Sequence, residues 1–296
     1  MQPAKAMATD NVSRVFLMVA IFYTRGMIWP GCVRLLRLLF LGMAACGVFV
    51  RASAQNAALP RTVHVFVALA DNAHQGIIPV PPRLGNGLDP AHNLYWGAAA
   101  GVKTFFSRSS DWNVVLCRQK PKPEVLERCV FKHRSGTVYL VADAYRGDEI
   151  GQAILDFFDA AAGAGPESIP LSGSSPPATL IDRGGSNLVA YVGHDGLMDF
   201  QLPYVPRKKN EVHRDVIILA CASRQFFSGP LRTSGARPLL WTTGLMAPEA
   251  YTLKSALDGW IAAESGEQIR DRAALAYDRY QKCGIRAARR LFVTGW

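Results

Sequence analysis

Apolar residues in this chain fall into short unbroken runs, separated by polar stretches rich in glycine and proline and by longer segments with helical spacing. TVHVFVALA (62–70), WNVVLC (112–117), TVYLVADAY (137–145), LVAYV (188–192), DVIIL (215–219) and RPLLWTTG (237–244) are rich in β-branched and aliphatic residues and predict buried strands. LYWGAAAGVKTFFSR (94–108) repeats Leu94, Ala98, Val102 and Phe105 along one helical face. RGDEIGQAILDFFDAAAG (146–163) turns Ile150, Ile154, Phe157 and Phe158 inward, with Asp148 and Glu149 at its positive N-terminal end. Segments 246–265 and 267–292 predict two further helices, while 71–93 and 164–185 predict a long loop and a polar linker. Strands alternating with helices predict an α/β fold, a mostly parallel sheet with helices on both faces.

In such sheets ligands bind outside the carboxyl ends of the strands. Two apolar runs end there in reactive side chains, LVAYVGHDG in His194 and DVIILACAS in Cys221. Arg146 follows the 137–145 strand, and the 71–93 loop leaves the first one, so a single sheet edge is expected to collect all of them. A thiol attacks as the thiolate, and a neighbouring imidazole supplies that state by accepting the proton. Small neighbours, Ala220 and Ala222 beside the thiol and Gly193 and Gly196 around the histidine, leave room for a substrate.

Composition changes the picture mainly at the N-terminus. MIWPGCVRLLRLLFLGMAACGVFVRASAQ, from Met27, has a basic head, an apolar middle and Ala-Ser-Ala before Gln55, the grammar of a secretory signal peptide. Residues 1–54 are therefore expected to be a leader whose true start is Met27, and 55–296 the exported domain. The apolar middle, Leu38–Val50, is shorter than the roughly 20 residues of a spanning helix, so no stable membrane span is expected. MAAC (43–46) is a poor lipoprotein box, with Met43 where leucine is usual, and an anchor at Cys46 is disfavoured. Cleavage after Ala54 removes about half of the net charge of +10, and no basic stripe with interleaved aromatics remains, so nucleic acid is not expected as a partner. A periplasmic or secreted location implies oxidising conditions. Cys117 and Cys129 flank the turn-rich RQKPKPE and are placed to pair across it, whereas Cys283 is expected to stay free. No CxxC or HxxxH spacing occurs, so no metal or other cofactor is expected.

An apolar strand ending in His-Gly, followed by one ending in Ala-Cys, resembles the caspase-like cysteine peptidases, the clan of caspases, legumains, gingipains and separases. VAYVGHDG and VIILACAS are the matching stretches. The resemblance spans roughly residues 60–245 and implies an α/β sandwich. It implies a thiol protease in which Cys221 attacks a peptide carbonyl, His194 moves the proton, and backbone N–H groups near Gly196 and Cys221 hold the oxyanion. Asp195 occupies the family's glycine position, so that donor shifts or is lost.

Around this pair, Arg146, Asn93 and Asp199 are the candidate substrate-binding residues, for a peptide or protein. Each has a plainer alternative: a helix-start salt bridge of Arg146 with Asp148 or Glu149, a solvated acid at Asp199, and loop packing for the Asn86–His92–Asn93–Tyr95–Trp96 cluster. Asp199 is also spaced to orient His194. A binding or scaffold module that lacks the chemistry, and a thiol hydrolase acting on non-peptide acyl groups, are the two other classes compatible with the pattern.

Overall fold

The computed structural model describes residues 60–171 and 178–296. The expected leader, 1–54, and the tip of the 164–185 linker therefore lie outside the described residues. The core is an α/β sheet of eight strands, mixed but mostly parallel. Its centre consists of β1 (Arg61–Ala68), β4 (Val138–Tyr145), β7 (Leu188–Val192), β8 (Asp215–Leu219) and β9 (Arg237–Thr242), in spatial order β4-β1-β7-β8-β9 and all parallel. Antiparallel strands close both edges: β3 (Val125–His133) and β2 (Trp112–Lys122) beyond β4, and β10 (Phe292–Val293) beyond β9.

The central strands read as continuous apolar runs because both of their faces are covered. Val63, Val65 and Val67 pack on one side with α1 (Val102–Arg108), α4 (Ala250–Ile261) and α5 (Gly266–Gln281). Phe66, Val189, Tyr191, Val216 and Ile218 pack on the other side with α2 (Ile150–Ala162) and α3 (Ser223–Ser234). Helices thus cover both faces, as the pattern predicts. Among the described residues, no helix is long and apolar enough to cross a membrane.

Four expectations need correction. The helix expected over 94–108 begins only at Val102, after a run of turns in which Gly97 packs so close to the Ala91 carbonyl that a Cβ there would collide with it. The 164–185 linker contains a two-stranded ribbon, β5 (Glu167–Leu171) with β6 (Ala178–Asp182). α3, with Pro230 inside it, and β3 were not expected. The helix expected over 267–292 breaks at Lys282, which adopts a left-handed conformation, and resumes as α6 (Ile285–Leu291) before β10. Cys117 and Cys129 face each other in the β2–β3 register and form a disulfide.

The ribbon docks on the sheet through buried charge. Arg128 donates from Nε and Nη2 to Asp143 at 2.6 and 2.7 Å, and from Nη1 to Glu167 of β5 at 2.9 Å. His64, fully buried on β1, has Nε2 3.2 Å from Asp143 Oδ2 and Nδ1 3.2 Å from Asp182 Oδ2 of β6. The Arg183 N–H also points at Nδ1, at 3.3 Å, but only a protonated ring can donate to both carboxylates. Asp182 is fully buried and neither of its oxygens makes a hydrogen bond, so the ion pair with a protonated His64 is what balances its charge. Burial alone pushes the His64 pKa down; Asp143 and Asp182 outweigh it and leave it raised.

A histidine with a raised folded pKa stabilises fully below its unfolded value, and the stabilisation is lost as pH rises through the folded value. His64→Leu, which leaves Asp182 without a partner, should cost about 3 kcal/mol or more in urea unfolding near about pH 6. The gap between native and variant should narrow toward about pH 9; a gap that is constant with pH would show that His64 is neutral in the fold.

Candidate functional site

β7 and β8 pair in parallel from Leu188↔Asp215 to Val192↔Leu219. His194 and Cys221 are each the second residue beyond that last pair, so the register delivers both to one sheet edge. Beyond it the two chains diverge. Gly193 has φ +156°, and a Cβ there would lie 3.0 Å from the Ala68 carbonyl oxygen, so glycine alone suits this bend. Cys221 sits in the turn from β8 into α3. The next residue, Ala222, is left-handed (φ 46°, ψ 31°), and its N–H donates to the Gly244 carbonyl at 2.8 Å. Ser223 and Thr242 lock this turn from inside: the Ser223 N–H donates to Thr242 Oγ1 at 3.1 Å, and the Thr242 N–H donates to Ser223 Oγ at 3.0 Å.

His194 is 9 % exposed, and its Nε2 lies 2.6 Å from Asp199 Oδ2. Its carbonyl accepts from the Tyr191 hydroxyl at 2.8 Å and from the Gly196 N–H at 3.1 Å. The ring borders a cavity of about 280 Å³ on the α2 side of the edge, together with His74, Gln75, Asp148, Asp199 and Phe200. Cys221 is not among the walls of that cavity. It is half-buried on the other side, where Sγ donates to the Met246 carbonyl at 3.6 Å and accepts from the Met246 N–H at 3.4 Å. No hydrogen bond joins His194 to Cys221. The pair shares an edge, and each side chain has other partners.

The electrostatics around the thiol are unfavourable to a thiolate. Burial pushes the Cys221 pKa up, the Met246 N–H opposes this, and the charge of Asp195 adds to the rise. Asp195 is itself fully buried. Its Oδ1 accepts from the Leu197 N–H at 3.0 Å, while Oδ2 has no partner. Burial, with the nearby charge of Asp199, pushes its pKa up to about 7.

The remaining candidates fall into place individually. Arg146 forms a two-bond pair with Asp148, at 2.9 and 2.5 Å, the plainer of its two readings. Asn93 is turned away from the cavity. Its side chain accepts from Ala70 N–H at 3.0 Å and donates to Ala70 O at 2.8 Å and Asn86 O at 3.0 Å, so it clamps the loop to the end of β1 and has no capacity left for a substrate. Gly196 directs its N–H at the His194 carbonyl, so in this arrangement it cannot serve as an oxyanion donor. Trp96 is core, with Nε1 donating to Glu127 at 2.7 Å. His74 was missed. Its Nδ1 lies 2.9 Å from the nearly buried Asp71, and the sequence signal is an aspartate three residues before a histidine, which also occurs at Asp89 and His92. Only His74 faces the cavity. Among the described residues, the one group of His, Cys, Asp and Glu close enough to share a metal ion contains the two disulfide cysteines, which cannot ligate.

Two outcomes follow. Asp195→Asn removes a charge that opposes the thiolate, and alkylation of Cys221 by iodoacetamide at about pH 8 should accelerate several-fold; an unchanged rate would separate Asp195 from the thiol. Thr242→Val strands the Ser223 N–H in the core and should lower stability by about 1–3 kcal/mol in a urea melt.

No family model, no curated protein and no solved structure matches this chain.

Proposed function

We propose that the chain is an exported thiol hydrolase in which Cys221 is the nucleophile and His194 the general base, acting on peptide bonds. The observation that carries this reading is the β7–β8 register, which places a histidine and a cysteine at equivalent positions past neighbouring parallel strands. Three features support it. The thiol stands on a sharp strand-to-helix turn beside a left-handed alanine, a backbone state that costs about 1–2 kcal/mol and is kept where the surroundings enforce it. A cavity opens next to the imidazole. The His-Asp-Gly and Ala-Cys strand ends resemble the caspase-like peptidases, which names a peptide as substrate and a caspase-like sandwich as the finer description of the sheet. The disulfide fits an oxidising compartment, and so export.

In the mechanism, the Cys221 thiol gives its proton to His194 and the thiolate attacks the carbonyl carbon. The imidazolium then protonates the leaving amine. Water, deprotonated by the same imidazole, hydrolyses the thioester and restores the thiol. Hydrogen-bond geometry in a resting enzyme is often looser than in the substrate complex, and the mechanism requires the imidazole to close on the thiol.

A second reading has its own support. The raised thiol pKa and the buried Asp195 beside it suit a scaffold that keeps the fold without the chemistry. Hydrolysis of a peptide library and of p-nitrophenyl acetate separates the two. With folding intact, Cys221→Ala and His194→Ala should each reduce turnover by about 100-fold or more. Equal rates in all three proteins would remove the thiol from the mechanism, and no turnover in any of them would favour the scaffold.

A further inference from the structure

The structure explains why histidine and thiol stand apart. His194 is almost completely enclosed, and its Nε2 is held at 2.6 Å by Asp199, on the side of the sheet edge that faces α2. Asp199 is about half exposed (47 %), and the 71–93 loop packs against one side of it: a Cβ on Gly76 would lie 3.2 Å from both of its carboxylate oxygens. The thiol lies on the other side, bound to Met246. Between them, Gly193 holds the bend that sends the histidine away from the position that strand continuation would give it.

We propose that Asp199 is an autoinhibitory latch, a positioning residue that retains His194 in the α2-side cavity, and that the structure is a latent form in which release of this contact lets the imidazole reach Cys221. The proposal rests on the reading of Cys221 and His194 as nucleophile and base. It assigns Asp199 the opposite of a productive orienting role: removing it should activate the thiol. Hinge material is at hand, because Gly193 and Gly196 bracket His194 and Asp195. The loop that seats Asp199 also forms a cavity wall through His74 and Gln75, so a ligand entering there would disturb the latch directly.

Through-space electrostatics predict the contrary result, which makes the test discriminating. The charge of Asp199 helps to keep Asp195 neutral, and an ionised Asp195 opposes the thiolate. If electrostatics were all that mattered, Asp199→Ala would slow the thiol.

The experiment is iodoacetamide alkylation at about pH 6, where a free thiol is nearly inert and a histidine-paired one reacts. It is read at the Cys221 peptide by mass spectrometry, since Cys283 is a second free thiol and is exposed. Four proteins are compared: native, His194→Ala, Asp199→Ala and the double variant, with Asp199→Asn as an isosteric check. The latch requires slow native alkylation, a rise of about tenfold or more in Asp199→Ala, and return to the native rate in the double variant. Fast native alkylation that is lost in His194→Ala overturns the latch and leaves the proposed function standing. An Asp199→Ala rate at or below native also overturns it. Hydrolysis then decides the rest: if turnover still needs His194 and Cys221 and falls in Asp199→Ala, Asp199 is a productive orienting partner; if turnover needs neither, the hydrolase reading fails with the latch.

Discussion

The parallel pairing of β1, β7 and β8 is the constraint on which the rest depends. β7 lies between the other two, pairing Val63 to Val67 of β1 with Leu188 to Val192 on one side and Asp215 to Leu219 of β8 on the other. All five β7 residues are buried, so its register is fixed from both faces. A slip of one residue would turn Val189 and Tyr191 out of the α2–α3 core and into the opposite layer. The same register that fills the two layers also decides which residues emerge at the edge. His194, Asp195 and Cys221 are therefore placed by packing, before any chemistry is considered.

The sheet divides its labour. The parallel strands β7, β8 and β9 are mostly apolar and β7 and β8 carry the edge residues. The other side of the sheet carries a disulfide and a charge network that starts at Lys122 and Glu167, passes through Arg128 and Asp143, and reaches His64 of β1 and Asp182. Buried ion pairs are weak sources of net stability, because desolvation offsets most of the attraction, yet removing one member is costly. Here every link joins different strands, and Glu167 and Asp182 belong to the ribbon. The network thus specifies where the β5–β6 ribbon sits more than it strengthens the fold. The ribbon's apolar contact, Ile169, Leu171 and Leu180 against Val130, Tyr139 and Val141, is small enough to need such direction.

This division also explains what was legible in the sequence. The apolar half was read almost completely, since a strand buried on both faces writes itself as a hydrophobic run. β3 escaped because Glu127 and Arg128 sit inside it, both nearly buried, and a charged pair reads as a loop until its partners are known. β5 and β6 escaped for the same reason, each carrying one acid of the network, Glu167 and Asp182. The face expected over 94–108 held at Val102, but the buried partner in the helix is Phe106 and not Phe105, and the close approach of Gly97 to Ala91 has no signature in the spacing. At the site, the strand ends were legible and the side-chain directions were not: these depend on the φ of Gly193 and on what Asp199 and Met246 offer as partners. His74 was written in the sequence as Asp-x-x-His, but so was His92, and only the cavity tells them apart.

Asp195 shows how one buried side chain shapes a site. A glycine at this position would leave the backbone N–H groups of the loop as the main polar groups near the edge. The aspartate instead folds back to accept the Leu197 N–H, nucleating the short turn Gly196–Met198. That turn carries the Gly196 N–H to the His194 carbonyl and brings Asp199 to Nε2 of the His194 ring. Its second oxygen is left buried without a partner and biased toward the neutral acid. A buried carboxyl that ionises near neutrality is a poor neighbour for a thiolate and a good hydrogen-bond donor when protonated. Asp195 thus bears on three things at once: the direction of the Gly196 N–H, the placement of Asp199 against the histidine, and the charge seen by the cysteine. Chemistry at this edge has to be explained through Asp195, whichever way the histidine finally turns.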